Sequence, residues 1–419
     1  MKIMNFDYIK KQKYLILLCC LVYSFAYAGR YSYSANIGSI IDFYGITRAD
    51  AGVVSTFFFF SYGAGQLINA FLCKFYPKRY VISGALLLSA ILNMCVFFMP
   101  PFVYIKYLWL INGICQSVLW PTLTLTIGEH VGKSLTKQAV FAMSMSMVIG
   151  TVIAYGGSSL FNLIDNFRLS FLVGVVLPIG IGLIWFLSYD VLTGKAAVAE
   201  SKPVEEKHTT KKRHTAVQSL LGLLIICGLF AAVDNFIKDG LNTWSPVILK
   251  EQFGFDDSIS IVLTLVLPIF GVFGSIIAMR ANKILKDFRG LVGAFYLVLS
   301  VCLLGVMWSL NVDNVIITLI LLGMISCLAH GINSILVSIM PLALRDRINS
   351  GFLAGLMNAA CYIGSTASAY GLGKIADGAG WDFVIRILLI ATVAATILSG
   401  VAMLMKTIRK KHDDRGEAI

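Results

Sequence analysis

Apolar residues along the chain fall into long runs of roughly 20 residues or more, separated by short polar segments. A hydrocarbon core roughly 30 Å thick is crossed by about 20 apolar residues in an α-helix, so each run predicts one transmembrane helix. The runs lie at Tyr14–Ile41, Ala51–Leu72, Tyr80–Met99, Phe102–Ile127, Gln138–Phe161, Ser170–Leu187, Val217–Leu249, Ser258–Met279, Leu291–Leu310, Asn314–Leu342, Ser350–Leu372 and Phe383–Met405. The pattern therefore predicts an all-α membrane protein with twelve transmembrane helices.

A polar, lysine-rich segment interrupts this pattern between the sixth and the seventh run. It has no apolar periodicity, which is typical of a linker. We therefore predict an N-terminal six-helix bundle over residues 1–189, a linker over 190–216, a C-terminal six-helix bundle over 217–406 and a tail over 407–419.

The composition excludes a water-soluble protein. Hydrophobic residues make up 58% of the 419 residues and charged residues 13%, against roughly 45–50% and about 25% in soluble proteins. The mean hydropathy is +0.82. The nine cysteines are scattered through apolar runs without metal-ligand or disulfide spacing, so we interpret them as small apolar residues and predict no metal site.

The net charge of +12 indicates orientation, not a nucleic-acid partner. Of the 34 Lys and Arg residues, 26 lie in the termini, the linker and every second loop, whereas six lie in the loops between these. Because basic loops remain on the cytoplasmic side of a membrane, we predict that both termini and the linker are cytoplasmic. The expected location is the plasma (inner) membrane.

The two remaining basic residues lie inside predicted helices, Arg30 in the first and Lys238 in the seventh. A cation inside a membrane is costly, and it marks a functional site or an ion pair. Asp234 precedes Lys238 by four residues, on the same helix face, and Asp239 is adjacent to it. Lys238 is therefore either a ligand for an anion or part of a structural ion pair, whereas Arg30 has no acidic residue within one turn of sequence.

The two halves of the chain resemble each other around these cations. Gly63 follows Arg30 by 33 residues, and Gly271 follows Lys238 by the same number. Transporters built from two such halves bind their substrate between the halves, near the middle of the bilayer. We therefore expect the two cations to face one central cavity, which would suit a small divalent or bulky anion.

Several motifs resemble those of the organophosphate:phosphate antiporters of the major facilitator superfamily. They are Arg30, Tyr62-Gly63, Gly113-x-x-Gln116-x-x-x-Trp120-Pro121, Lys238-Asp-Gly-Leu-Asn-Thr-Trp244-Ser-Pro246 and, more loosely, Tyr370-Gly-Leu-Gly373 with Asp377 and Gly380-Trp381. The resemblance implies two pseudo-symmetric six-helix bundles that rock between outward- and inward-facing states. It also implies exchange of inorganic phosphate for a phosphorylated metabolite, with Arg30 and Lys238 holding the phosphoryl group.

The chain departs from this family's pattern at four positions. Lys238 stands where members usually have Arg, and it offers a point charge in place of a bidentate fork. Gln66 stands where members have Lys, Met147 lies near the place of a histidine, and Leu125 lies near the place of an arginine. A site with fewer cations is expected to bind its anion less tightly or to accept a less charged one.

Other polar and aromatic residues are candidates for contact with the substrate. Tyr27 belongs to a stripe of tyrosines beside Arg30, although such a stripe is equally typical of helix packing. His330 could contact the substrate or simply bond a neighbouring helix. The further candidates are Tyr62, Gln66, Trp120, Asn358 and Tyr362.

Asp234 distinguishes two mechanisms. If it only neutralises Lys238, transport is anion exchange, which is the preferred function, with an organophosphate exchanged for phosphate. If Asp234 or Asp239 binds a proton, the protein is a proton-coupled symporter of a sugar acid, carboxylate or other organic anion. A transporter-like ligand sensor is a third possibility, although only the linker and tail could supply its partner surface.

No motif indicates an enzyme, a cofactor or ATP hydrolysis, and we expect a monomer in the lipid bilayer.

Overall fold

The computed structural model describes residues 2–132, 134–194, 215–285, 287–344, 348 and 350–416 of the chain. These residues are helical almost throughout and include no strand, which confirms the all-α prediction. The helices are α1 (Lys2–Ala35), α2 (Ile37–Tyr44), α3 (Arg48–Leu72), α4 (Lys78–Phe97), α5 (Phe102–Ser117), α6 (Leu119–His130), α7 (Thr136–Asn162), α8 (Leu169–Thr193), α9 (Thr215–Phe253), α10 (Asp257–Leu263), α11 (Val266–Ile284), α12 (Phe288–Asn311), α13 (Val315–Ser334), α14 (Met340–Ala343) and α15 (Ser350–Gly416).

These helices supply the twelve predicted transmembrane spans. Ten helical stretches of the described chain are long and apolar enough to cross a membrane. One of them, Phe352–Met405, contains two spans, because Gly380 has φ 77° and ψ 174° and so divides α15. The remaining span is α9, which is 39 residues long and carries Asp234, Lys238 and Asp239 inside its apolar run.

Four of the predicted helices are divided in the structure. The first is interrupted at Asn36, the fourth at Val118, and the eighth between α10 and α11. The tenth contains a π-helical turn at Ile335–Ile339, between α13 and α14. At the first break, the Asn36 amide donates hydrogen bonds to the Ser32 carbonyl at 2.8 Å and to the Ser158 hydroxyl at 2.9 Å. Such interruptions do not show in an apolar pattern, because the flanking residues stay apolar.

The chain forms two compact units. Unit 1 comprises Met1–Ile46, Val53–Ile225 and Asp256–Leu265, and unit 2 comprises the remainder, including Thr47–Gly52. The start of α3 therefore belongs to unit 2, and α10 belongs to unit 1, which the predicted boundaries did not anticipate. The predicted linker lies largely outside the described residues, because 195–214 are not among them.

Small residues allow close helix contacts in both units. A Cβ atom at Gly150 of α7 would overlap the Ser24 carbonyl of α1. A Cβ atom at Gly364 of α15 would overlap the Ala232 carbonyl of α9. In a membrane, where helices gain little from hydrophobic association, such close backbone approach supplies much of the packing energy.

Unit 2 also contains a charged cluster that begins with Arg48. The Arg48 guanidinium donates to both carboxylate oxygens of Glu251, at 3.1 and 2.6 Å. The Asp377 carboxylate accepts hydrogen bonds from the backbone N–H groups of Arg48 and Ala49, at 3.1 and 2.8 Å, and so caps the first turn of α3. The Trp381 indole N–H donates to Glu251 at 2.7 Å. Asp377 and Trp381, which the motif comparison singled out, thus have a structural role.

Two alanine substitutions in α15 test this packing. Gly364→Ala should lower the thermal midpoint of unfolding, because the new methyl group overlaps the backbone of α9, and overpacking costs about 1–3 kcal/mol. Gly371→Ala is the matched control, since nothing lies within 4 Å of a Cβ atom at that position. It should leave the midpoint unchanged or raise it slightly, because Ala favours a helix over Gly. Equal midpoints for the two variants in detergent would contradict the close contact.

Candidate functional site

Arg30 lies on α1 in unit 1 and is 5% exposed, surrounded by aromatic rings. The centres of five rings lie 4.7–5.3 Å from its Cζ atom. A cation over an aromatic face gains from about 0.5 kcal/mol at exposed sites to about 2 kcal/mol where water is excluded. The rings, which we call the Arg30 cage, are those of Tyr27, Tyr31, Phe58, Phe59 and Tyr62.

Two helices build the Arg30 cage. Tyr27 and Tyr31 come from α1 itself, and the other three rings come from α3. Phe58 and Phe59 were not predicted, although they precede Tyr62 by four and three residues and so share its helix face. This spacing relative to Tyr62 could have identified the two residues as neighbours of Arg30. Because both are apolar and lie in an apolar run, they were interpreted as ordinary membrane-helix residues.

A chain of hydrogen bonds adjoins the cage. The Tyr23 and Tyr62 hydroxyl groups lie 3.1 Å apart, and the Gln66 amide donates to the Tyr62 hydroxyl at 2.8 Å. The Trp120 ring packs on Tyr23, with their centroids 4.9 Å apart. The structure therefore brings the predicted residues Tyr62, Gln66 and Trp120 into one cluster beside Arg30.

Tyr27 contributes to this cluster in two ways. Its ring faces Arg30, and its hydroxyl donates to the Met147 thioether at 3.3 Å. Met147 lies near the position where some members of the family carry a histidine. A thioether is a weak acceptor and holds no charge, so this part of unit 1 is less polar than the family pattern implies.

The Gly113-x-x-Gln116 motif supports the cage from behind. A Cβ atom at Gly113 would overlap the Ser61 side chain and the Phe58 carbonyl, so the motif allows α5 to approach α3 closely. The buried Gln116 amide donates to Ser89 at 3.0 Å and to Asn112 at 3.2 Å. These residues position α3 and its rings and do not themselves reach Arg30.

In unit 2, Lys238 lies on α9 beside a neighbouring acid. Its Nζ atom is 4.0 Å from Asp239 Oδ1, and the Lys238 side chain is 15% exposed. The other oxygen of Asp239 accepts a hydrogen bond from the Ser365 hydroxyl of α15, at 2.5 Å. Lys238 thus has a carboxylate partner that is itself fixed by a second helix.

Asp234 does not form the hydrogen-bonded ion pair with Lys238 that the spacing of four residues suggested. It is completely buried, and neither of its carboxylate oxygens has a hydrogen-bond partner among the described residues. Sequence spacing places the two residues on one helix face. The rotamer of Lys238, which spacing does not determine, carries its Nζ atom to Asp239.

His330 lies on α13 in unit 2, with its ring against Gly271 of α11. Its Nδ1 atom is 2.9 Å from the Ser326 carbonyl, and because a carbonyl only accepts, Nδ1 carries the proton. This contact supports the packing interpretation of His330. Asn358 and Tyr362 lie half-buried one turn apart on α15, in the same unit.

The two sites offer charge and hydrogen-bond donors, which suit the binding of an anion. Within the described ranges, no group of three or more His, Cys, Asp or Glu side chains is arranged to hold a metal ion. Each site is built inside its own unit, with Arg30 in unit 1 and Lys238 in unit 2.

The chain is similar in sequence to transport and sensor proteins of known name. The chain is 22% identical to a probable hexose phosphate transport protein of Chlamydia pneumoniae, over 89% of this chain and 87% of that protein. It is 23% identical to the glycerol-3-phosphate transporter of Bacillus subtilis, over 85% of each. It is 20% identical to the membrane sensor protein UhpC of Escherichia coli, over 92% of this chain and 91% of that protein.

Solved structures show the same fold. A bacterial homologue of the human lysosomal transporter Spinster superposes with a TM-score of 0.73 at 14% identity, covering 93% of this chain and 96% of that one. The family model of the Major Facilitator Superfamily matches residues 19–369. The chain therefore belongs to the major facilitator superfamily and is a membrane transporter.

Proposed function

We propose that this transporter exchanges an organophosphate for inorganic phosphate by alternating access. The observation that carries the proposal is the buried Arg30 guanidinium in its aromatic cage, at the position where the resembling family binds the phosphoryl group. Relatives whose names state transport of hexose phosphate or glycerol-3-phosphate support the substrate class. Lys238, at the equivalent place in the second half, is the proposed second ligand of the anion.

The cage suits this role because it positions the guanidinium group among neutral ring faces. Aromatic faces attract a guanidinium group through their quadrupole and carry no formal charge. Arg30 therefore keeps its positive charge inside unit 1, and its planar fork matches the oxygens of a phosphoryl group. A carboxylate partner would compete with the substrate for the same fork.

Lys238 provides a weaker site than Arg30. Asp239, 4.0 Å away, offsets part of its charge, and a Lys ammonium binds oxygen as a point charge. We propose that the substrate draws Lys238 away from Asp239, and that Ser365 retains the carboxylate when this happens. Such competition lowers affinity and favours exchange, because a tightly held anion would leave slowly.

The setting of the protein follows from its charge distribution. We propose that it acts as a monomer in the lipid bilayer of the plasma membrane, with both termini and the linker in the cytoplasm. The excess of Lys and Arg in the termini and in alternate loops supports this orientation.

A ligand sensor is the second candidate function. It is favoured by the UhpC proteins of Escherichia coli and Salmonella typhimurium, both named as membrane sensors and matching 92% of this chain at 20% and 19% identity. A sensor would bind the phosphorylated ligand and exchange it slowly or not at all. Binding and exchange, measured on the same preparation, therefore separate the two functions.

The first experiment is phosphate counterflow in proteoliposomes. Vesicles preloaded with unlabelled phosphate should take up labelled phosphate without any ion gradient, and external glycerol phosphate or hexose phosphate should compete. Binding of a phosphorylated ligand without counterflow would favour the sensor. Folded, monodisperse protein that neither binds nor exchanges phosphate would contradict the proposed function.

Substitution of the two cations tests the proposed ligands. Arg30→Gln and Lys238→Gln should each reduce phosphate counterflow by at least about thirtyfold, because losing a charged partner of a buried anion costs about 2–5 kcal/mol. Lys238→Arg should retain activity. Arg386→Gln is the matched control, since Arg386 is exposed and should be dispensable. Normal counterflow in either Gln variant would contradict the shared role.

The cage can be tested separately from the cation. Phe58→Leu combined with Phe59→Leu should raise the half-saturating phosphate concentration by roughly five- to thirtyfold, since two ring faces of about 0.5–1 kcal/mol each are lost. The maximal rate should change less than the half-saturating concentration. Phe60→Leu is the control, because Phe60 directly follows Phe59 in α3 but is 62% exposed. Equal kinetics in the Phe58/Phe59 and Phe60 variants would argue against the cage.

A further inference from the structure

The charges of α9 do not balance locally. Lys238 approaches Asp239, so that one cation and one anion are matched. Asp234 is the third charged residue of this stretch, and no described hydrogen-bond donor satisfies it. The membrane-spanning part of α9 thus contains one carboxyl group more than its partners account for.

The surroundings of Asp234 come from three helices. On α9 itself the charged neighbours are Lys238 and Asp239, on α12 the neighbour is Tyr296, and on α15 it is Cys361. The Tyr296 hydroxyl donates to the Phe230 carbonyl at 2.6 Å, so its proton is directed away from the carboxylate.

The Cys361 thiol does not satisfy the carboxylate either. Its sulfur accepts a hydrogen bond from the Asn333 amide at 3.5 Å. A thiol is in any case a weak donor. Neither α12 nor α15 therefore provides Asp234 with a hydrogen bond.

An ionised carboxylate in this position would be very costly. Transfer of an unpaired carboxylate into a low-dielectric interior costs so much that such groups become neutral instead. Structural acids in protein interiors accept hydrogen bonds, as Asp239 does from Ser365. The arrangement around Asp234 lacks these donors and suits a neutral carboxylic acid.

We propose that Asp234 is a proton-binding site of the transporter, and that its proton travels with the substrate anion. This deepens the proposed exchange function and rests on it: unlike the symporter considered above, the protein would still exchange one anion for another, with a proton accompanying each anion. The ligand is the proton itself, bound to a carboxylate oxygen of Asp234. No other co-substrate is needed.

The position of Lys238 provides the coupling. Residues four apart on a helix are neighbours, so a deprotonated Asp234 would attract the Lys238 ammonium. A proton on Asp234 removes that attraction and makes Lys238 more available to the anion, with which Asp239 continues to compete. Because coupling between two ligands is reciprocal, the bound anion in turn favours the proton on Asp234.

Infrared spectroscopy detects the proton directly, without any substrate. Purified full-length protein near neutral pH should show the C=O stretch of a protonated carboxyl group that disappears in Asp234→Asn. Ser245→Ala is the matched control, because Ser245 is also buried on α9 with no hydrogen-bond partner among the described residues, and it should retain the band. Identical bands in wild type and Asp234→Asn would overturn the proposal.

The pH dependence of phosphate binding tests the coupling. Across the pH range in which the infrared band of Asp234 is lost, the dissociation constant of the wild type should rise with pH by up to about tenfold per unit more than that of Asp234→Asn. The ionisation of phosphate itself is common to both proteins and cancels in the comparison. Asp234→Glu should retain the wild-type slope. Equal slopes in wild type and Asp234→Asn would overturn the coupling.

A third measurement uses only the wild type and remains decisive if Asp234→Asn does not fold. An inward proton gradient, with the membrane potential clamped, should accelerate the entry of labelled phosphate into phosphate-loaded vesicles several-fold, and a trapped dye should record more proton entry than phosphate speciation supplies. Phosphate exchange that is indifferent to the gradient would overturn the proton site and leave the exchange function standing. Absence of exchange, together with an intact infrared band, would overturn the exchange function instead.

Discussion

The cost of placing charge inside an apolar helix constrains the whole architecture of this transporter. A cation in such a setting must be compensated inside its own bundle, and the two units do so by different chemistry. Arg30 is held by five aromatic faces from α1 and α3. Lys238 is held near Asp239, which Ser365 of α15 fixes in turn. Equivalent positions in a repeated sequence have thus acquired unlike environments.

These environments depend on close helix packing. Gly113 lets α5 approach the helix that carries the cage, and Gly364 lets α15 approach α9. The Trp244 indole N–H donates to the Ala369 carbonyl at 3.1 Å, which adds a polar contact between α9 and α15. Much of the family motif is therefore structural, because it brings together the helices on which the functional residues lie.

The charge available to an anion is smaller than a count of cations suggests. Arg30 keeps its charge among neutral rings, whereas Lys238 shares its charge with Asp239. Asp234 adds either a negative charge or none, depending on whether it carries a proton. The electrostatics of unit 2 therefore change with the protonation state of a single carboxyl group.

The sequence by itself determined the fold class, the twelve spans and the two buried cations, because apolar run length and isolated charges are local properties that the bilayer makes strongly informative. It also indicated Tyr62, Gln66 and Trp120 near Arg30, through their resemblance to a family. Only the tertiary structure identified Phe58 and Phe59 as members of the cage, since an aromatic residue in an apolar run has the same appearance whether it faces lipid or a cation. It likewise decided that Lys238 approaches Asp239 while Asp234 lacks a partner, because side-chain rotamers and neighbouring helices, not spacing along α9, determine which charges meet.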